Sequence, residues 1–136
     1  LSPRDGVART VARLALCGFL IAAGVSHLTV ARSAFLAQVP AWVPLEPDAV
    51  VLLSGVAEIA LGVLGLVARR RHRSIVGILI ALFFLAIFPG NIAQFVTRTD
   101  SFGLDTDVAR GIRLLFQPAL VAWAVFAFGV LRPRTR

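Results

Sequence analysis

The chain has 136 residues, 58% of them hydrophobic, and a net charge of +7 from fourteen arginines against seven carboxylates, with no lysine. Mean hydropathy is +0.86, and soluble domains average roughly 45–50% apolar, so this composition leaves room for a membrane domain and not for a second globular one. Cys17 is the only cysteine, which excludes an intramolecular disulfide and a CxxC redox pair; the arginines sit beside apolar runs and not on a recognition helix, which argues against nucleic acid as a partner.

A bilayer core about 30 Å thick needs roughly 20 apolar residues per helical span. Four runs meet that need, at about 14–30, 49–68, 75–96 and 112–131, and none alternates with the two-residue period of a barrel strand. The expected fold is all-α: a polytopic integral membrane four-helix bundle, formed by residues 1–136 as a single membrane domain. The first run follows a basic start and could mimic a signal peptide. No small-x-small site precedes a soluble domain, so a retained helix is expected.

The outer connection 31–47 is apolar but broken by Pro40 and Pro44, which forbid a continuous helix. Phe35 and Trp42 belong in the interface there, with Trp42 at headgroup level. Two readings fit this segment, a membrane-hugging loop and an interfacial lid over a cavity below. In the first and second runs, Gly18 with Ala22, and Gly55 with Gly62 and Gly65, are candidates for close helix approach. The third run is interrupted at Pro89-Gly90, where a lost backbone bond makes either a plain kink or a broken-helix binding site. The connection 97–109 is polar and contains Gly103, as a solvated loop would.

Arginine placement sets the orientation. Arg4, Arg9, Arg13, Arg69, Arg70, Arg71, Arg73, Arg132, Arg134 and Arg136 fall on one side, and Arg32, Arg98, Arg110 and Arg113 on the other. Ten against four places both termini in the cytoplasm by the positive-inside rule.

That topology gives each polar residue a depth. Glu58 lies near the middle of the second span, where an ionised group costs several kcal/mol unless it is paired, protonated or facing a wet cavity. His27, Asn91, Gln94, Arg113 and Gln117 come from the other three spans at compatible depths in the outer half, and Ser54 lies one turn from Glu58. Arg113 and Gln117 share a helix face, as nearly do Asn91 and Gln94. Such a cluster is either a structural polar network or the lining of an outward-opening pocket. Only one other histidine, His72, exists, and it lies on the opposite side, so no zinc or bis-histidine haem site can be assembled.

Gly24-Val-Ser-His-Leu28, the Phe35 to Pro44 loop, Ser54-Gly-Val-Ala-Glu58 with Gly62, Phe88-Pro-Gly-Asn91 and Arg113-Leu-Leu-Phe-Gln117 occur in that order. The pattern resembles the DoxX-like family of small four-helix membrane proteins over about residues 10 to 130. The resemblance implies that His27, Glu58, Asn91, Arg113 and Gln117 are the positions kept polar. It implies a fold more strongly than a reaction: the family takes its name from a subunit of a thiosulfate:quinone oxidoreductase, and some relatives are linked to membrane thiol-redox assemblies or to receptor assembly.

The expected role is therefore a non-enzymatic accessory or scaffold subunit of a membrane complex, redox or respiratory in kind, in the bacterial cytoplasmic membrane. Its partners would be the lipid bilayer and other membrane subunits. No cofactor is evident, and no catalytic or metal-ligating residue stands out. Two alternatives remain open: a quinone- or lipid-binding redox component using His27, Glu58 and Arg113, and a small-solute or proton-linked transporter.

Overall fold

The computed structural model describes residues 3–29, 42–97 and 107–131. These form helices α1 (Pro3–Leu28), α2 (Pro47–Val67), α3 (Arg73–Thr97) and α4 (Asp107–Ala127), with a 3-10 turn at Arg70–His72 before α3 and no strand among the described residues. Among the described residues, three stretches are long and apolar enough to cross a membrane: Gly6–Leu28, Pro47–Val67 and Arg70–Pro89. The fourth apolar stretch, Leu114–Ala127, is shorter, because Asp107, Arg110 and Arg113 take up the first turns of α4.

The helices do not stop where the apolar runs stop. α1 starts at Pro3, well before Leu14. Proline is suited to a first turn by its fixed φ, and apolarity marks where lipid begins, not where helix begins. α2 starts at Pro47 after an extended Glu46, with Asp48 in its first turn, where a carboxylate complements the helix dipole. α4 ends at Ala127 in a Schellman arrangement. Gly129 takes a left-handed φ of 62°, its N–H donates to the Phe126 carbonyl and that of Val130 to the Val125 carbonyl.

α1 packs most closely on α2 and α3 on α4, while α1 also meets α4 and α3 touches α2 lightly. The cyclic order is thus α1–α2–α3–α4, with α2 and α4 diagonal. On α2 the buried positions are Val51, Gly55, Glu58, Gly62 and Gly65, a four-three spacing that forms one stripe. On α1 the matching stripe holds Arg13, Leu16, Cys17, Leu20, Gly24 and His27.

Small residues bring these stripes together. A Cβ at Gly24 would sit 2.6 Å from the Gly55 carbonyl oxygen, and one at Gly62 would sit 2.9 Å from the Cys17 carbonyl oxygen. Gly55, Gly62 and Gly65 all make close approaches. Gly18 does not: nothing lies within 4 Å of its would-be Cβ, and Gly18 and Ala22 are both exposed. The glycine of α1 that meets α2 is Gly24.

The apolar core lies in the half of the bundle holding the start of α1. Leu16, Cys17 and Leu20 of α1 pack there with Val76, Ile80, Ala81 and Phe84 of α3 and with Ala124, Ala127 and Phe128 at the end of α4. Phe128 turns back into space left by Gly65 and Gly77, whose side chains would overlap its ring and Cβ.

Two arginines one turn apart on α1 tie down helix ends at this same end. Arg13 Nη1 donates to the Gly65 carbonyl at 2.9 Å, and Arg9 Nε donates to the Phe126 carbonyl at 3.1 Å while its guanidinium lies 5.0 Å from the Phe126 ring centre. Cations suit the unsatisfied carbonyls of helix C-termini. Trp123 Nε1 adds a 2.9 Å bond to the Ala12 carbonyl, joining α4 to α1.

Candidate functional site

His27 is in the last turn of α1 and Glu58 in the middle of α2, both buried on the facing stripes. The approach of Gly24 to Gly55 sets their separation. A Cβ on Gly55 would lie 2.8 Å from the His27 Cβ, so only glycine leaves the imidazole room to lie against α2.

The pair meets at 2.8 Å, His27 Nδ1 to Glu58 Oε2, and the same Nδ1 is 2.8 Å from the Ala23 carbonyl oxygen. A carbonyl can only accept, so Nδ1 must carry the hydrogen. A protonated Glu58 therefore cannot donate to it. The N–H is used by Ala23, one turn back on its own helix, and Oε2 has no in-line hydrogen bond although it is buried. The contact is within ion-pair distance, yet its direction leaves the oxygen an acceptor without a hydrogen. Buried oxygens in that condition are uncommon and are costly by about 1–3 kcal/mol.

A second polar contact joins the other helix pair. Gln117 is buried and its Nε2 donates to the Phe84 carbonyl at 2.6 Å. The bond lies beside two helix interruptions, Pro89 inside α3 and Pro118 inside α4. Proline removes an N–H and crowds the carbonyl four residues back, here Leu85 and Leu114. An open cleft of about 180 Å³ follows between the helices, lined by Leu85, Phe88, Gln117, Pro118 and Val121. Among the described residues, Gln117 is its one polar lining residue. Gln117→Leu should lower stability by about 1–2 kcal/mol, since the Phe84 carbonyl loses its donor. Thermal unfolding in detergent measures it, and an unchanged midpoint would show the bond to be dispensable.

The DUF8561 family, described as a domain of unknown function, matches residues 16–128. The chain belongs to that family. Comparison with curated proteins and with solved structures gives no match. The DUF8561 match takes in the His27–Glu58 pair, the Gln117–Phe84 bond and the cleft, and starts after Arg9 and Arg13.

Within this DUF8561 chain, the polar residues picked out in the sequence fall in three groups. His27 and Glu58 meet. Gln117 bonds to α3 on the far pair of helices, and Ser54 is half-buried one turn from Glu58, with no hydrogen bond to it among the described residues. Asn91 and Gln94 lie on α3 and Arg113 on α4, but their side chains are outside the described residues; Gly90 is described only as backbone of α3. Of the interfacial segment, Phe35 and Pro40 are outside the described residues; Trp42 is 72% exposed and Pro44 is exposed. No group of three metal-ligating side chains occurs among the described residues.

Sequence reasoning missed Pro118, Trp123 and the bonds made by Arg9 and Arg13. A second proline inside an apolar run was a visible signal for the first. The arginines were legible only as markers of orientation, because a backbone carbonyl that accepts a bond leaves no trace in residue type.

Proposed function

We propose that this DUF8561 protein crosses the bacterial cytoplasmic membrane four times, with both termini inside, and serves as a non-enzymatic accessory or scaffold subunit of a membrane complex. One observation carries the reading: the inward polar groups of Arg13, Trp123 and Gln117 connect helix to helix, while large apolar side chains face outward. Arg13 holds Gly65, Trp123 holds Ala12 and Gln117 holds Phe84. Leu53, Val56, Val63 and Val67 of α2, Leu82 and Leu85 of α3, and Leu115 and Phe116 of α4 are all exposed. In water such faces would be a liability; in a membrane they are surface for lipid and for neighbouring helices. The resemblance of the residue pattern to DoxX-like proteins, some of which are linked to membrane assemblies, supports the same assignment.

Gentle detergent extraction followed by mass spectrometry is the test. Co-purification with a stoichiometric membrane partner is expected. Recovery only as a monomer or homo-oligomer across several detergents would overturn the scaffold role.

The buried Glu58 Oε2 favours a second reading. A quinol hydroxyl or a lipid hydroxyl placed beside it would supply the missing hydrogen, with the His27 ring 2.8 Å from the same oxygen; the side chain of Arg113, the third residue of this reading, lies outside the described residues. Purified protein that carries no quinone and binds none when it is added would remove this alternative.

A further inference from the structure

The imidazole of His27 faces two acceptors that are equally close and unequally supplied. Its Nδ1 lies 2.8 Å from the Ala23 carbonyl oxygen and 2.8 Å from Glu58 Oε2. The Ala23 carbonyl also accepts from the Ser26 hydroxyl at 2.7 Å, whereas Oε2 is buried and has no hydrogen-bond partner. A carbonyl oxygen has two lone pairs, so the Ser26 bond keeps Ala23 supplied when the imidazole turns away. The hydrogen that Glu58 lacks is therefore already inside the bundle, a small ring rotation away. Nothing has to enter from outside.

Little opposes that rotation. Gly24 and Gly55 hold the two backbones in contact, which puts both acceptors within reach while neither helix moves. The last torsion of a histidine side chain is broad and not confined to sharp wells. The charge on the acceptor decides the setting. A hydrogen bond to a carboxylate is roughly twice as strong as one between neutral groups, so an ionised Glu58 draws the N–H to itself. A protonated carboxyl is the weaker acceptor, and the N–H returns to the helix carbonyl. Nδ1 carries its hydrogen in this neutral tautomer and in the imidazolium ion alike, so the setting follows Glu58 and not the ring. Among the described side chains, His27 is the one titratable group in contact with Glu58. Arg13 and Arg9 lie about four and five turns before His27 on α1. Glu46 and Asp48 stand at the start of α2, and Arg73 opens α3 at the end of the bundle that holds the start of α1. On α4, the side chains of Asp107, Arg110 and Arg113 are outside the described residues.

We infer that His27 and Glu58 form a proton-controlled latch between α1 and α2, in which the Nδ1–H bonds to Glu58 when that carboxyl is ionised and to Ala23 when it is protonated. In the first setting the last turn of α1 is tied to the middle of α2. In the second the bond stays within α1. Protonation of one buried side chain thereby loosens one helix from its neighbour. The latch goes beyond the scaffold role, does not depend on it, and needs no quinol or lipid hydroxyl.

The chain has two histidines and two glutamates, which makes the latch accessible to selective labelling. The exposed His72 and Glu46 are replaced by glutamine, so that nitrogen-labelled histidine and carboxyl-labelled glutamate report on His27 and Glu58 alone. The full chain in detergent is then titrated with acid and followed by NMR. The Nδ1–H resonance is expected at lower field when Glu58 is ionised, and it should move with the same midpoint as the Glu58 carboxyl signal. Glu58→Gln should hold that resonance still across the titration. Ser26→Ala makes Ala23 depend on the imidazole and should shift the balance toward Ala23 about fivefold, the equivalent of one ordinary hydrogen bond. A stationary Nδ1–H resonance while Glu58 titrates overturns the latch. So does a Glu58 carboxyl that keeps one protonation state wherever the protein stays folded. An identical movement in Glu58→Gln assigns the change to the ring's own titration and overturns it too. If Glu58→Gln fails to fold, Ser26→Ala decides, and an unchanged balance there counts against the latch.

Discussion

His27→Leu should destabilise the protein by about 3–5 kcal/mol, and Glu58→Leu in the same chain should recover much of that loss. Removing the imidazole takes away the ring nitrogen that lies 2.8 Å from the buried Glu58 carboxyl group, and a buried polar group stripped of its neighbour costs more than the loss of both partners. Replacing both leaves two apolar side chains on facing stripes. A double-mutant cycle read by thermal unfolding in detergent should give a coupling of about 3 kcal/mol, the upper end of the usual range. Strictly additive losses would mean that the two groups are close without depending on one another.

The second large effect is expected from Gly24→Val, at roughly 3 kcal/mol. A Cβ there would lie 2.6 Å from the Gly55 carbonyl oxygen and 3.0 Å from the Ile59 nitrogen. Both are backbone atoms and cannot rotate away, so the helices must separate, and overpacking of this kind lies at the upper end of the usual range. The separation would also draw His27 away from Glu58. Gly18→Val supplies the control, because its Cβ meets nothing; it should shift the midpoint little. Equal losses from the two substitutions would refute the close approach at Gly24.

These two expectations differ in how far the sequence could have supplied them. The depth of Glu58 and His27 follows from counting along apolar runs, and the two residues do come together. The choice of glycine was open to a simpler correction. At about 100° per residue, Gly18 lies nine residues before His27 and therefore on the opposite face, while Gly24 and Leu20 share the histidine's side. With His27 taken as inward, Gly18 could have been set aside from the sequence alone. No such reasoning would have found the partner of Gln117. That side chain bonds to a main-chain oxygen of Phe84, and every residue carries the same oxygen. The start of α1 at Pro3 was hidden for a related reason, since the residues ahead of Leu14 are held as helix by propensity and by arginine contacts to other helices, not by apolarity.

The ring of Phe128 has a consequence for the order in which the protein is built. It occupies space bounded by Gly65 near the end of α2 and Gly77 near the start of α3, yet it is made after every residue of those helices. A growing chain emerges from its N-terminal end, so the α2–α3 hairpin must wait, incompletely filled, until the end of α4 arrives. The last helix is a keystone: an intermediate with three helices in place has a hole where Phe128 will go. Quality-control factors that survey nascent membrane proteins would meet this chain at its most vulnerable in that interval.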